Sequence, residues 1–146
     1  AVGGSVGTYG NKPDGTDWRV SVRDPEGKLS DGVGVISLDT GCISTSGSYE
    51  KTFTEDGVTY HHLLDPKTGY PAESGLVSVT VVHESGAISD ALATACFVLG
   101  IEDSLPVLKE LGASALFIDE EHHITIAGDL DFEPISTSYT VSRLSL

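Results

Sequence analysis

Residues 18–23, WRVSVR, set Trp18, Val20 and Val22 against Arg19, Ser21 and Arg23, an alternation of period two that predicts a strand with one wetted face. The same reading predicts strands at GVGVISL (32–38), YEKTFT (49–54), TYHHLL (59–64) and LVSVTVV (76–82), parted by turn-rich segments such as TEDGV. At ESGAISDALATACFVLG the period changes. Ile88, Ala91, Leu92, Ala95, Cys96 and Leu99 recur at three- and four-residue spacing and Gly100 supplies a stop, which predicts a helix over 86–99. A shorter helix is expected over 102–111, with Pro106 marking a break or an early-turn position within it. ASALFID (113–119), HHITIAG (122–128) and SYTVSRL (138–144) read as closing strands. The sum is a single α+β domain, a mainly antiparallel sheet with one dominant helix packed on it.

Charge narrows the partners. Against 22 Asp and Glu stand 8 Lys and Arg, a formal net charge of −14, which disfavours DNA or RNA held through a phosphate backbone. Small phosphorylated ligands stay open, because a helix terminus or a bound cation attracts an anion locally. The 146 residues suffice to bury a core without disulfide staples. Cys42 and Cys96 have no metal-binding spacing, and Cys96 sits in an apolar helical run, where a free thiol acts as a small buried hydrophobe. No stretch resembles a signal peptide, and no apolar run is expected to reach the ~20 residues of a membrane span. The chain opens on AVGGSVG with no initiating Met, which reads as a processed or excised start.

The glycine-rich opening GGSVGTYGNKP fails as a phosphate loop, since Asn11 separates Gly10 from Lys12 and no Ser or Thr follows the lysine. Gly3 and Gly4 still permit close approach of backbone to a ligand. The pairs His61-His62 and His122-His123 suggest zinc, but strand alternation sends neighbouring side chains to opposite faces, so each pair offers one ligand to a given side. His62, at the predicted strand end before LLDP, is either a ligand contact or a half-buried strand histidine. DPKTGYP explains itself as a turn: Pro66 presets φ, Asp65 bonds backbone amides and Gly69 accepts left-handed geometry.

Asp90 and Thr94 stand four apart on one helix face, a carboxylate and a hydroxyl suited to Mg²⁺, which fills its shell with water and phosphate oxygens. A structural account competes with that one. An acidic residue in a first helical turn complements the macrodipole, and a helical threonine bonds the carbonyl four residues back.

Four ordered segments, GG…GNKPDGTDWRVSVRDP, ISTSGSYEKTF, YHHLLDPKTGYPAESGLVSVTVV and SDALATACFVLG, together resemble the ApbE family of FAD:protein FMN transferases, once described as thiamine-biosynthesis lipoproteins. The resemblance covers essentially the whole chain but only the C-terminal half of such a protein, and it implies a T-fold-like fold. It implies Mg²⁺-dependent transfer of FMN from FAD to a Thr or Ser hydroxyl of an acceptor protein, with release of AMP. It makes His62 and Asp90 the catalytic candidates, Asp90 and Thr94 the magnesium ligands, and His62, Leu64, Gly3 and Gly4 neighbours of FAD, with Ser46-Gly47 matching a T-S-G segment. The family's N-terminal half, absent from these 146 residues, would complete the site, alone or replaced by another chain. Hydrolysis of FAD to FMN and AMP, or noncatalytic binding of FAD or metal, are the alternative functions. The resemblance further implies an exported lipoprotein on the outer side of the cytoplasmic membrane or in the periplasm.

Overall fold

The structure, a computed structural model, describes residues 1–146. Its strands in chain order are β1 (Ser5–Thr8), β2 (Trp18–Arg23), β3 (Gly32–Leu38), β4 (Gly41–Gly47), β5 (Phe53–Glu55), β6 (Val58–Tyr60) and β7 (Leu76–His83). Helix α1 (Gly86–Leu111) follows, then β8 (Ser114–Asp119), β9 (His123–Ala127), β10 (Phe132–Pro134) and β11 (Thr140–Leu144). A six-stranded sheet runs β1-β4-β7-β8-β9-β11, a three-stranded sheet runs β10-β3-β2, and β5-β6 form a separate hairpin. Every strand pairing is antiparallel except that of β11 with β9.

The central strand β8 shows how the layers meet. Ala115 and Phe117 pack with Leu92, Cys96 and Phe97 of α1, while Leu116 and Ile118 pack with Val22, Val33, Ile36 and Phe132 of the small sheet. The large sheet is therefore buried on both faces, which explains why SALFID is a continuous apolar run rather than an alternating one. In β7 a register shift between Leu76 and Ser78 resets the alternation, so that Leu76, Val79 and Val81 all face the helix cluster while Val77 joins the other.

The expected helices, 86–99 and 102–111, are two stretches of α1 separated at Gly100, whose φ of 78° and ψ of 178° are non-helical. The break falls there and not at Pro106, which the second stretch accommodates. The buried Ser104 hydroxyl donates to the Gly100 carbonyl at 2.5 Å and secures the joint. Contrary to the sequence reading, α1 is long and apolar enough by composition to cross a membrane, with a hydropathy of 1.6 over its most apolar window. In this fold its apolar residues Leu92, Ala93, Cys96, Phe97 and Leu108 are spent on the sheet.

Three further corrections concern strands. Of YEKTFT only the end is extended, in β5; Tyr49 turns back so closely that a Cβ on Gly47 would collide with its ring. TYHHLL is a strand only to Tyr60, after which Leu64 makes an isolated bridge to Pro71 that closes the DPKTGYP turn. The strands β1, β4 and β10 have no counterpart in the hydrophobic pattern, because SVGT and GCISTSG alternate hydroxyls, thiol and glycine with few apolar residues, and FEP is too short to show a period. Both cysteines are free, and burial pushes the Cys96 thiol above its ordinary range against a smaller opposing pull from Ser104.

Candidate functional site

The helix-facing side of β4 is polar where an apolar stripe would be usual. Ser44, fully buried, lies 2.8 Å from the buried Ser89 hydroxyl of α1 and donates to Ser5 of β1 at 2.9 Å. Ser5 in turn donates to Oδ1 of Asp90 at 3.3 Å. One turn along α1, Thr94 meets Ser46 of β4, with the hydroxyl oxygens 3.0 Å apart. The antiparallel register Ser5↔Ser44 of β1 and β4 brings these oxygens to one seam beneath the helix.

Asp90 and Thr94 thus share an exposed helix face, as the spacing predicts, but the competing structural account weakens. The first turn of α1 holds no acidic residue, so Asp90 lies beyond the turn where the macrodipole acts most strongly. The Thr94 hydroxyl meets Ser46 across the seam and makes no bond to the carbonyl four residues back. The donor set consists of oxygens alone, and no group of three or more His, Cys, Asp or Glu is arranged to hold an ion. One carboxylate with neutral hydroxyls fits Mg²⁺, which is commonly held by one or two carboxylates plus substrate phosphates, and does not fit a tetrahedral zinc cage.

Beside Asp90 runs an open groove of about 490 Å³ lined by Gly3, Gly4, Ser5, Cys42 and Gly86. The Gly4 carbonyl accepts the Thr45 N–H at 3.1 Å, and a Cβ on Gly4 would stand 2.8 Å from the Thr45 carbonyl oxygen. Gly3 adopts φ of +56° with open space around it. A larger concavity of about 630 Å³, between the end of α1 and the chain's last residues, contains none of the predicted site residues.

The histidine pair departs from its derivation. No strand carries it, yet the two rings part company: His61 sets its edge against Phe97 at 5.6 Å between ring centres, while His62 is exposed. His62 Nδ1 lies 3.2 Å from the Glu50 carbonyl oxygen. That partner accepts only, so Nδ1 is the donor in this contact. The Glu50 carboxylate reaches Arg23 at 3.5 Å, and the Arg23 guanidinium lies 5.0 Å from the centre of the Tyr49 ring. Burial pushes the Tyr49 hydroxyl above its usual range, against smaller opposing effects of Ser78 and Arg23. Leu63 between is buried, and Leu64 is exposed beside the Pro71 bridge. The predicted residues therefore form two groups, Gly3-Gly4-Asp90-Thr94 on the seam and His62-Leu64 on the loop. The end of β4 connects them: Ser46 touches Thr94, and the next residue, Gly47, touches Tyr49, which precedes the Glu50 that holds His62.

Ser5, Ser44 and Ser89 are polar residues that sequence reasoning missed. Their trace was the alternation of serines in CISTSG and the serine immediately before Asp90.

A sheet edge and a helix together present oxygen donors beside a glycine-lined groove. The chain belongs to the ApbE family, whose model matches residues 1–117. It is 47% identical over 103 residues to the FAD:protein FMN transferase of Treponema pallidum (strain Nichols), a match covering 70% of this chain and 28% of that protein. It is 36% identical over 121 residues to the FAD:protein FMN transferase of Escherichia coli (strain K12), covering 83% and 34%. Among solved structures it is similar to the ApbE protein of Thermotoga maritima, with a TM-score of 0.73 and 39% identity over 92% of this chain and 41% of that one. The flavin transferase ApbE of Vibrio cholerae gives a TM-score of 0.65 and 30% identity, covering 94% and 41%. The chain spans less than half the length of each of these proteins.

Proposed function

We propose that this chain acts as the C-terminal portion of a magnesium-dependent flavin transferase, which moves FMN from FAD to a Thr or Ser hydroxyl of an acceptor protein. The acceptor oxygen bonds to the FMN phosphorus, the phosphoanhydride bond breaks, and AMP departs with its electron pair. The observation that carries this reading is the pairing of Asp90 and Thr94 on one face of α1, each tied to a serine of the neighbouring strands, beside the Gly3-Gly4 groove. Asp90 and Thr94 would hold Mg²⁺, which neutralises charge on a pyrophosphate and on its leaving group. Gly3 and Gly4 let the backbone come close to the nucleotide. His62, with Nδ1 bound to the Glu50 carbonyl, directs Nε2 chemistry: it orients a phosphate oxygen or receives the acceptor's proton. Leu64, 51% exposed, offers apolar surface to a flat ring system.

The rest of the site would come from outside these residues, consistent with the share of its relatives that the chain spans. We also propose that the protein works outside the cytoplasmic membrane, as a lipid-anchored protein, following the family resemblance.

The test uses the gene product that carries this chain, with FAD, Mg²⁺ and a threonine-bearing acceptor domain. The expected result is a flavin-fluorescent acceptor band in a denaturing gel, stoichiometric AMP, and loss of both in Asp90→Ala or with excess EDTA. A colourless acceptor, or magnesium-dependent AMP release surviving in Asp90→Ala, overturns the reading. AMP and free FMN formed without acceptor assign the chain to FAD hydrolysis instead.

A further inference from the structure

The serines under α1 obey a proton count. Ser44 donates to Ser5, and Ser5 donates to Asp90 Oδ1, so each has committed its single hydroxyl proton. With the Ser44 proton on Ser5, the remaining contact, Ser44 with Ser89 at 2.8 Å, draws on the Ser89 proton. Ser89 also reaches the Gly86 carbonyl at 3.1 Å, so its single proton is shared between that carbonyl and Ser44. Ser44 and Ser89 are both fully buried, so no solvent competes for these bonds. The result is a one-way series, Ser89 to Ser44 to Ser5 to Asp90, spanning α1, β4 and β1 and returning to α1. Hydrogen bonds in such series polarise one another. The last bond, 3.3 Å, is long for O–H···O, and catalytic-site bonds of this kind tighten when the ligand arrives. Asp90 Oδ2 makes no hydrogen bond within the chain and stays free for a cation.

We propose that Ser5, Ser44 and Ser89 are positioning residues that fix the Asp90 carboxylate through this series and so raise its affinity for a divalent cation. The proposal rests on Asp90 being the cation ligand. Serine is required where the series runs because Cα and backbone alone cannot carry the proton, and alanine at either strand position severs it. Ser46, which meets Thr94, belongs to a separate contact and is not part of the series.

Isothermal titration of the full gene product with Mg²⁺ alone separates the possibilities. Orienting partners behind a metal ligand change affinity by roughly 10–100-fold, so Ser5→Ala and Ser44→Ala are each expected to weaken Mg²⁺ binding by about 10-fold or more. Ser5→Thr, which keeps the hydroxyl, is expected to restore affinity to within about 3-fold of native on the same scale. In AMP release the loss should appear in the magnesium concentration giving half-maximal rate, with kcat at saturating Mg²⁺ nearly retained. Because Ser5 is only partly buried, Ser5→Ala keeps the test valid should Ser44→Ala fail to fold. Native affinity in Ser5→Ala, alongside lost binding in Asp90→Ala, overturns the series and leaves the metal reading standing. Native affinity in Asp90→Ala overturns both.

Discussion

Gly4→Ala is the substitution in which fold and site are most tightly joined. A methyl there would meet the Thr45 carbonyl oxygen at 2.8 Å, a backbone atom that cannot rotate away. Overpacking of this kind costs about 1–3 kcal/mol. If β1 instead retreats, the Thr45 N–H to Gly4 carbonyl bond of 3.1 Å is lost, and a hydrogen bond contributes about 1 kcal/mol net. The two routes are alternatives. Because β1 is a four-residue edge strand, detachment caps the penalty. Gly3→Ala is the control: it has a left-handed φ of +56° but nothing within 4 Å, so it meets only the backbone penalty of about 1–2 kcal/mol. Urea unfolding monitored by far-ultraviolet circular dichroism, with a slope of about 2 kcal/mol per M, should show the Gly4→Ala midpoint lowered by about 0.5 M. Amide exchange at Thr45 should accelerate in the same variant. On the proposed series from Ser5 to Asp90, Mg²⁺ affinity should fall in this variant too, since Ser5 follows Gly4. A Gly4→Ala protein within about 0.5 kcal/mol of native, with unchanged amide exchange at Thr45, would refute the steric argument.

Gly100 has φ of 78° and ψ of 178°, a region essentially reserved for glycine, so Gly100→Ala should cost about 1–3 kcal/mol. Calorimetry should register a fall in Tm of roughly 3–10 °C; an unchanged Tm would mean that the joint within α1 is not held in this conformation. For Asp119, burial by itself raises the carboxyl, but hydrogen bonds from the backbone and ring of His123 and from the Glu121 N–H outweigh it and hold the group below its ordinary range. A depressed folded pKa means stabilisation that is full above the ordinary carboxylate pKa of about 4 and lost as pH falls through the depressed value. Asp119→Asn should therefore be less stable than native at pH 7, with a gap that narrows on acidification; a gap independent of pH would contradict the assignment.

The sequence made legible those elements that owe their place to apolar contrast. Strands β2, β3, β7, β8 and β9 and both stretches of α1 carry the periods that bury Val22, Ile36, Val79, Phe117, Ile124 and Phe97. Strands β1 and β4 were not legible, and the reason is chemical. Their helix-facing positions are Ser5, Ser44 and Ser46, which meet Ser89, Asp90 and Thr94 instead of a hydrophobic stripe. The exchange of apolar for hydroxyl side chains that erased the strand signal is the same exchange that built the oxygen-lined seam. Asp90 and Thr94 could be paired from helical spacing alone, since four residues along a helix fix a distance. Their serine partners could not, because they depend on the register of two strands separated by more than thirty residues in sequence. His62 shows the converse. Alternation along a strand separated it from His61, and the rings are indeed separated, but by a chain that leaves the strand at Tyr60 and is held through the Glu50 carbonyl. Backbone acceptors leave no mark in a sequence, so the contact of His62 with the Glu50 carbonyl was accessible only once the loop around Glu50 had a conformation. Local pattern failed here where polar side chains displaced core residues, and a search for further site residues in this fold should begin at sheet positions whose alternation is polar on the side that faces the helix.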